Sequence, residues 1–303
     1  MTENKLVVIV STIPNYIPSA WIEYSPRVDF VSPYLFLYIQ TMNLSQAEIK
    51  YLRSLQQKKY RDTGRKFLLE GWRPLQDALE SNFSIEMVAV LPEASQNSEH
   101  QSILALAKKH SIPVKELKEV QLRQISDTVH SQGIVTLVCQ QIETFDTKYL
   151  RSAKFIVACD NISNPGNLGT ILRTCDWFGV DAVLLSEGCV SLYNEKVVRA
   201  TAGSIFHLKV FENLDLKAAI SHLKSESFRL IATALDGNPV NSSTPQEKSI
   251  LLLGSEAHGV NPDILQQADE VLSIPRFGKA ESLNVGIACG IFLAHWRNQF
   301  VRK

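Results

Sequence analysis

Three glycine-containing segments in the second half of the chain carry side chains that could bind an anion or position a reacting group. The first reads NISNPGNLGTILR and ends at Arg173. Its glycines permit close backbone approach, and the start of a helix offers free N–H groups to a phosphate. Asn167 is a residue type that caps helices, and Arg173 falls within the first two turns. The segment fits neither a G-x-G-x-x-G dinucleotide motif nor a P-loop, and alone it is also typical of a well-capped turn with a surface arginine.

The second and third segments place a carboxylate, a hydroxyl and an amide beside glycines. LLLGSEAHGV begins as a buried strand, and Glu256 after it is hard to explain as core because a buried carboxylate needs a partner. His258 is more typical of a surface loop than of a catalytic group. In IPRFGKAESLNVGIACG, Ser282 and Asn284 bracket the start of an apolar helix. Close packing explains the glycines of that helix, but it does not explain Ser282 and Asn284 beside a strand end.

The elements that must position these segments alternate between strand and helix. Short apolar runs predict strands at 154–159, 181–185, 205–210, 228–234, 249–254 and 270–274. Helices are predicted at 167–178, 194–201, 214–225, 261–267 and 282–299. This order predicts an α/β fold with a mainly parallel sheet and helices on both faces. Ligands of such sheets bind beyond the carboxyl ends of the strands, where the three segments lie.

A smaller α/β region precedes that sheet. Ser45 and Glu48 have the spacing of a capping box, and apolar residues three apart predict a helix after Ser45. Further helices are predicted at 73–81, 102–110 and 120–125, and strands at 85–91, 112–117 and 133–139. The polar stretch at 140–152 lacks periodicity, which predicts a domain boundary there.

One part of this region is strongly basic. The chain as a whole has 31 Lys and Arg against 31 Asp and Glu, yet residues 50–73 carry eight basic side chains and two acidic ones. Aromatic residues are interleaved at Tyr60, Phe67 and Trp72. A solvated helix face would explain the pattern, and so would a local patch that neutralises nucleic-acid phosphates. The candidates for phosphate contacts are Lys58, Lys59, Arg61 and Arg65.

The length and composition of the chain exclude several classes of protein. A length of 303 residues favours two domains, and 45% hydrophobic with 20% charged residues excludes disordered and collagen-like chains. Five cysteines without CxxC spacing argue against a disulfide framework and a cysteine-rich zinc site, so we expect reduced thiols in a cytoplasmic protein. Because no run of about 18 apolar residues occurs, no membrane span is expected.

The first 41 residues differ from the rest. They contain Pro14, Pro18, Pro26 and Pro33, and their apolar run at 6–10 is too short for the core of a secretory signal. We expect residues 1–41 to be a poorly ordered extension, which leaves open whether they belong to the native protein. Regular sequence begins at Met42.

Taken together and in order, the three segments are highly specific. NPGNLGTILRT, LLLGSEAHGV and IPRFGKAESLNVGIACGI closely resemble the motifs of the SpoU (TrmH-type) RNA ribose 2′-O-methyltransferases of the SPOUT superfamily, over residues 154–300. FLLEGWRPLQDAL and SDTVHSQGIVTLV resemble, less specifically, the accessory substrate-binding domain of that family. The resemblance implies an RNA substrate-binding domain at 42–145 and a methyltransferase domain at 150–303 with a deep trefoil knot. It also implies S-adenosylmethionine held in the knot, no metal, and a homodimer whose first-motif arginine completes a site shared between subunits.

The resemblance assigns roles residue by residue. The residues that match the reacting centre are Arg173, Asn167, Glu256, Ser282 and Asn284. The residues that match cofactor-contacting positions, chiefly through the backbone, are Gly254, Ile274, Leu283 and Asn284. Arg199, in KVVRATAGSIFHL, matches a recurrent basic position that faces RNA. Arg276 and Gly286 depart from the usual pattern, which has an apolar residue at the first position and Ser or Ala at the second. These departures leave the preferred substrate open.

The implied reaction moves a methyl group from a sulfonium to a ribose 2′-hydroxyl, which makes RNA rather than DNA the substrate. The hydroxyl must be aligned with the methyl and lose its proton. A guanidinium stays protonated, so Arg173 would hold a phosphate and stabilise alkoxide charge, although the family is often described with this arginine as the base. Both roles stay open.

Several alternatives remain at this point. Ribosomal RNA is the preferred substrate because members with such an accessory domain act there, and transfer RNA is the alternative. A non-catalytic RNA-binding protein of this fold is disfavoured by the intact set of Arg173, Glu256, Ser282 and Asn284. An enzyme with another cofactor or a small-molecule substrate is disfavoured by the basic segment and the accessory domain.

Overall fold

The computed structural model describes residues 42–301 except Asp127, Val129, His130 and Pro245. The predicted extension at 1–41 therefore lies outside the described residues. The described chain forms two β-sheets that belong to one compact unit.

The first sheet contains five strands. They are β1 (Met42–Asn43), β2 (Lys66–Glu70), β3 (Ile85–Val90), β4 (Val114–Glu116) and β5 (Ile134–Cys139). The helices of this region are α1 (Gln46–Ser54), α2 (Lys58–Gly64), α3 (Trp72–Glu80), α4 (Ser98–Lys109) and α5 (Glu119–Ile125). The strand order is β1-β4-β3-β5-β2, in which β5 runs antiparallel to β3 and β2 and the other pairs are parallel.

The second sheet contains six strands, and every pair in it is parallel. The strands are β6 (Phe155–Cys159), β7 (Ala182–Ser186), β8 (Val210–Leu214), β9 (Arg229–Pro239), β10 (Ser249–Leu253) and β11 (Glu270–Ser273). The helices are α6 (Thr147–Leu150), α7 (Pro165–Trp177), α8 (Glu195–Thr201), α9 (Leu216–Ser225), α10 (Pro262–Leu265) and α11 (Val285–Val301). The order is β11-β9-β10-β6-β7-β8.

The two central strands of the second sheet, β6 and β10, lie in the middle of its hydrophobic core. Every residue of β6 and β10 is buried, because both strands are continuous apolar runs covered on both faces. Residues of α7, α8 and α11 pack against one face, and residues of α9 and α10 pack against the other. The prediction of a mainly parallel sheet with helices on both faces is confirmed.

Helix caps fix where the functional segments start. Ser45 forms the predicted capping box with Glu48 at the start of α1. At α7 the cap is Asn164 rather than Asn167: the Oδ1 atom of Asn164 accepts hydrogen bonds from the backbone N–H groups of Gly166 (2.9 Å) and Asn167 (3.2 Å). Pro165 suits the first helical position because its φ is fixed and it has no N–H to satisfy. Asn167 therefore lies inside the first turn of α7, and its side-chain amide is available to bind another residue.

Two predicted strands differ from the structure. The strand predicted at 205–210 is wrong: residues 204–206 form a 3-10 turn and β8 begins at Val210. Gly203, with a φ of 102°, turns the chain after α8, and Ile205 and Phe206 are buried as a turn. A short apolar run has no period that separates these outcomes. Strand β9 extends beyond the predicted 228–234 because its pairing with β11 shifts register, with residues 233–237 bulging between the two registers.

The two sheets share a core. The Phe67 ring of β2 packs on the Tyr193 ring with centroids 4.8 Å apart, and Phe83 packs edge-on against Phe206 at 4.9 Å. Apolar residues of both sheets thus form one buried cluster. Among the described residues, none of the helices combines the length and apolar character that a bilayer crossing requires.

Candidate functional site

The first and second functional segments begin side by side. Strand β6 pairs in parallel with β10, and Cys159 stands opposite Leu253 at their carboxyl ends. Asp160 and Gly254 therefore start two loops at the same level of the sheet. A cleft of about 380 Å³ opens between these loops and the start of α11. It is lined by Asn161, Ile162, Ser163, Asn164, Ser255, Glu256, Ala257, His258 and Val285.

A hydrogen-bonded group of three side chains joins all three segments. The Nδ2 atom of Asn167 donates to Oε1 of Glu256, and the Nδ2 atom of Asn284 donates to Oδ1 of Asn167 at 2.8 Å. The Oδ1 atom of Asn284 also accepts from the backbone N–H of Gly286 at 2.9 Å and so caps α11. We call these three side chains, Asn167, Glu256 and Asn284, the polar triad. The structure thus brings together three of the five residues matched to the reacting centre.

Tight backbone geometry holds Glu256 in place. Ser255 and Gly259 exchange two backbone hydrogen bonds, of 3.0 and 2.8 Å, which close the loop around Glu256. A Cβ atom at position 254 would lie 2.2 Å from the backbone of Gly259 and Val260, so only glycine fits there. The glycines of this segment therefore shape the loop that presents the carboxylate.

Arg173 lies apart from the polar triad. It is exposed on α7, and it has no hydrogen bond or ion pair with any other residue that the structure describes. Six residues separate it from Asn167, which corresponds to about 9 Å along the helix and about 120° around it. Arg173 is also not among the residues that line the cleft. Its guanidinium is available to another molecule but does not face the triad of its own chain.

The remaining matched residues lie at strand ends or in exposed loops. Ser282 is exposed two residues before Asn284. Gly254 follows β10 and Ile274 follows β11, with β9 between the two strands. Neighbouring strands are about 4.8 Å apart, so these two backbone positions are separated by about 10 Å across the sheet edge. Leu283, between Ser282 and Asn284 in the chain, is 46% exposed and offers an apolar surface.

The basic segment is not a single helix face. It is divided among α1, α2, β2 and the start of α3, and Lys58, Lys59 and Arg65 are exposed. The expectation that Arg61 contacts phosphate is corrected by the structure. Arg61 is only 3% exposed, and its Nη1 donates to the carbonyl oxygens of Leu55 (2.9 Å) and Gln56 (2.7 Å). The guanidinium satisfies carbonyls that follow α1 and is not accessible to a phosphate. Burial also lowers the pKa of Arg61 from its usual value.

Arg199 faces the first sheet. Its Nη1 lies 3.6 Å from Oε1 of Glu70 on β2, and the Arg199 side chain is 29% exposed. The other carboxylate oxygen of Glu70 accepts from the hydroxyl of Ser126 at 2.8 Å. The expected RNA-facing arginine is therefore engaged, in this structure, in an ion pair between the two sheets.

Sequence reasoning missed two residues that organise the site. Asp160 is buried, and its Oδ2 accepts from the backbone N–H of Asn261 at 2.8 Å, which ties the first loop to the end of the second. Its signal was an acid directly after a fully apolar strand. Asn164 caps α7 and lines the cleft, and an Asn immediately before a Pro at a helix start was its signal. His258 lines the cleft, and its backbone N–H donates to the hydroxyl of Ser255 at 3.1 Å.

The described residues also include thiols and other side chains of metal-ligating types. Among the described residues there is no group of three or more His, Cys, Asp or Glu side chains that could hold a metal ion. All five cysteines are free thiols, and Cys159, Cys175 and Cys289 are buried. Burial raises the pKa values of Cys159 and Cys175 well above the ordinary value, so their thiols stay protonated near neutral pH.

Comparison with known proteins gives two family matches and relatives that align with most of this chain. Residues 154–294 match the SpoU rRNA methylase family, and residues 46–136 match the MRM3-like substrate binding domain. The 23S rRNA (guanosine(2553)-2′-O)-methyltransferase of Bacillus subtilis is 31% identical over 259 residues, covering 85% of this chain and 99% of that protein. The mitochondrial rRNA methyltransferase 3A of Danio rerio is 30% identical over 292 residues, covering 80% of this chain and 66% of that protein.

Solved structures agree with these matches. A putative RNA methyltransferase of the TrmH family from Porphyromonas gingivalis superimposes with a TM-score of 0.72 at 28% identity, covering 84% of this chain and 99% of that chain. An AdoMet-bound rRNA methyltransferase from Sinorhizobium meliloti superimposes with a TM-score of 0.73 at 28% identity, covering 85% of this chain and 96% of that chain. The SPOUT-type fold that the resemblance implied is confirmed. On the sequence matches and the fold together, the chain belongs to the SpoU rRNA methylase family.

Proposed function

We propose that the protein is an S-adenosylmethionine-dependent enzyme that methylates a ribose 2′-hydroxyl of ribosomal RNA. The observation that carries the proposal is the polar triad, which joins three loops separated by 89 and 117 residues at the carboxyl end of a parallel sheet. The relatives from Bacillus subtilis and Danio rerio are named as rRNA methyltransferases and support the substrate class.

The strand ends fit the cofactor. The backbone at Gly254 and at Ile274 provides two sets of peptide groups about 10 Å apart, and the partly exposed Leu283 side chain adds apolar surface, which suits an adenosine that carries a methionine arm. When bound, S-adenosylmethionine supplies a methyl group that its positive sulfur has already made electrophilic. The AdoMet-bound structure from Sinorhizobium meliloti supports this assignment.

The side chains of this chain would align the ribose and stabilise charge. Glu256 and Asn284 are exposed at the ends of the polar triad, so they can orient the ribose hydroxyls while Asn167 holds both in place. Ser282 adds a hydroxyl two residues before Asn284. Arg173 is a donor with a permanent positive charge, so it stabilises the negative charge that develops on the 2′-oxygen and holds the neighbouring phosphate.

The geometry of Arg173 favours a homodimer with shared sites. On α7, Arg173 lies about 120° away from Asn167, so a triad on another subunit is a better partner for it than its own. The exposed surfaces of α7 and α11 also include large apolar side chains: Trp177 is 84% exposed, Ile287 55% and Ile291 36%. A patch of this kind on two packed helices is typical of a subunit interface.

We further propose that residues 42–145 bind RNA and residues 150–303 carry out the reaction, with Lys58, Lys59 and Arg65 as phosphate contacts. Five free thiols and a ribosomal RNA substrate also favour a cytoplasmic location.

The function is tested by transfer of a tritiated methyl group from S-adenosylmethionine to unmodified ribosomal RNA transcribed from the same organism's genes. The expected product is a 2′-O-methyl nucleoside. The phosphodiester bond on its 3′ side should resist alkaline cleavage, because the methylated 2′-oxygen cannot attack the phosphate, so the label should be found in an alkali-resistant dinucleotide. Transfer RNA from the same organism is the matched substrate control. Methyl groups found on a base, or on transfer RNA alone, would overturn the assignment.

Mixing two inactive variants tests the shared site. Arg173→Ala and Asn284→Ala subunits are each expected to be inactive, but a mixed dimer contains one site with both residues intact. Equal mixing after subunit exchange should restore about a quarter of wild-type activity for a two-fold symmetric dimer. No recovery, with mixed dimers demonstrated by light scattering and tagged pull-down, would place Arg173 in its own chain's site.

A further inference from the structure

The loop that leads into α11 carries the most exposed large apolar side chain among the described residues. Phe277 is 98% exposed. The loop around it, residues 275–284, is exposed throughout, and a Cβ atom added at Gly278 would meet no other heavy atom within 4 Å. The aromatic ring therefore stands free of the protein's own core.

Two basic residues lie near Phe277 in the sequence, Arg276 directly before it and Lys279 two positions after it. Arg276 and Lys279 are both exposed, and the single described hydrogen bond of the Arg276 side chain is a long one, from Nη1 to the carbonyl of Ala280 at 3.5 Å. Glu281 is the one acid in the loop. An exposed ring between two available cations has the composition of a surface that binds unpaired nucleotides.

The loop lies close to the proposed reacting centre. Seven residues connect Phe277 to Asn284 of the polar triad, so the two positions are at most about 25 Å apart even in a fully extended chain. A group bound at Phe277 is therefore within a few nucleotides of a ribose held at the triad.

We propose that loop 275–281 binds an unpaired nucleotide that neighbours the methylated one, with Phe277 stacked on its base and Arg276 and Lys279 paired with flanking phosphates. This inference rests on the proposed function, since it assumes an RNA substrate at the triad. The loop would then select an RNA that has a single-stranded segment beside its target nucleotide.

A second copy of the chain fits this loop less well than RNA does. Burying Phe277 in a protein interface would also take Arg276 and Lys279 out of water without acidic partners, which costs free energy. The α7 and α11 surface is a better place for a second copy, because α11 has no charged residue from Val285 to Ala294. A polyanion, by contrast, pairs with both cations.

The test compares variants at Phe277 in binding a fluorescein-labelled single-stranded dodecauridine RNA, read by anisotropy. Phe277→Ala should weaken binding by about 5- to 150-fold, since loss of one aromatic stack costs that much. Phe277→Trp should bind as well as the wild type, and Phe277→Leu should resemble Phe277→Ala because it keeps apolar surface but has no π-face. Tyr149→Ala, which removes an aromatic ring 47% exposed on α6, outside residues 42–145 and outside the loop, is the matched control and should change nothing.

Further measurements distinguish base stacking at Phe277 from charge pairing, cofactor binding and dimer contacts. Phe277→Ala should leave the salt dependence of binding unchanged, whereas Arg276→Gln and Lys279→Gln should each reduce the slope of log affinity against log salt by about 0.7. Binding of a fully paired RNA duplex should not respond to Phe277→Ala, because its bases are already stacked. S-adenosylmethionine binding by calorimetry and the dimer mass by light scattering should match the wild type.

The inference fails if Phe277→Ala binds dodecauridine within twofold of the wild type. It also fails if that variant loses cofactor binding, which would assign the ring to the cofactor site, or dissociates into monomers, which would assign it to the second copy. These failures are distinct from a failure of the proposed function, which would appear as a wild-type enzyme that transfers no methyl group to ribosomal RNA.

Discussion

The loops of the polar triad and the basic segment at Lys58–Arg65 both concentrate polar side chains, but the fold uses them in opposite ways. In the triad, each side chain is bound to another from a distant part of the sequence. In the basic segment, Arg61 turns inward to carbonyls five and six residues before it, while Lys58, Lys59 and Arg65 extend into solvent. A site built for chemistry needs fixed geometry, whereas a site built for phosphates needs only available charge.

The largest effect is expected at Arg173, which no residue of the described chain engages. Arg173→Ala should lower methyl transfer by about 10²- to 10³-fold, the usual cost of removing one donor to a developing oxyanion. The affinity for S-adenosylmethionine, measured by calorimetry, should stay within a few-fold because the cofactor positions are on other loops. Arg151→Ala, which removes an arginine that is 61% exposed and lies outside residues 42–145, serves as the control. Equal loss of cofactor binding and activity would move Arg173 into the cofactor site.

A smaller but still large effect is expected at the centre of the polar triad. Asn167→Ala removes both the donor to Glu256 and the acceptor for Asn284, so the ribose-orienting groups lose their fixed positions. Misplacement on the scale of 1 Å costs about 10²-fold in rate, and we expect that loss in kcat. RNA affinity should change little. A variant with wild-type kcat would show that the triad is a structural contact without influence on the reaction.

The exposed cations of the basic segment should act through charge alone. Replacing Lys58, Lys59 and Arg65 together with Gln should weaken RNA binding and reduce the slope of log affinity against log salt by about two, if all three neutralise phosphates. The melting temperature should not change, because all three side chains are exposed. An unchanged slope would show that these three cations do not contact phosphate and belong to a solvated surface.

Arg61→Gln should show the reverse pattern and so sharpens the contrast within one segment. Removing a buried charged donor that holds two carbonyl oxygens should cost about 1–3 kcal/mol of unfolding free energy, measured by urea denaturation. The salt dependence of RNA binding should match the wild type. A reduced slope without loss of stability would mean that Arg61 contacts phosphate after all.

The smallest expected effect concerns an ion pair of the first sheet region. The hydrogen bond from Lys115 lowers the pKa of Glu48 to about 2. Because this pKa is depressed in the folded state, the stabilisation is present above the ordinary carboxyl pKa and is lost as the pH falls toward 2. Glu48→Gln keeps the capping-box pattern but removes the charge, and at pH 7 it should cost on the order of 1 kcal/mol. Stability curves of the two proteins should converge on acidification, and a constant difference would exclude the ion pair as the cause.

The success of the sequence predictions followed the strength of each local signal. The fully apolar strands at Phe155–Cys159 and Ser249–Leu253 and the capping box at Ser45 were predicted almost to the residue. The strand predicted at 205–210 was wrong because an apolar run becomes strand or turn according to what it packs against. The cap of α7 was predicted at Asn167 rather than Asn164, because several residues of that loop have a suitable side chain and only the fixed φ of Pro165 selects one.

The sequence by itself determined the alternating apolar strands and helices, the glycine-rich loops at the strand ends, and the motifs that identify the family, because each depends on residues close together in the chain. Only the tertiary structure decided which polar residues meet. The parallel pairing of β6 with β10 sets the first two loops side by side, and the packing of α11 on α7 adds Asn284 to Asn167 and Glu256. In the first sheet region Arg61 is buried against the carbonyls that follow α1, Arg199 of α8 meets Glu70 of β2, and Arg173 lies exposed on α7. A side chain's type is written in the sequence, but its direction depends on contacts that long-range packing creates.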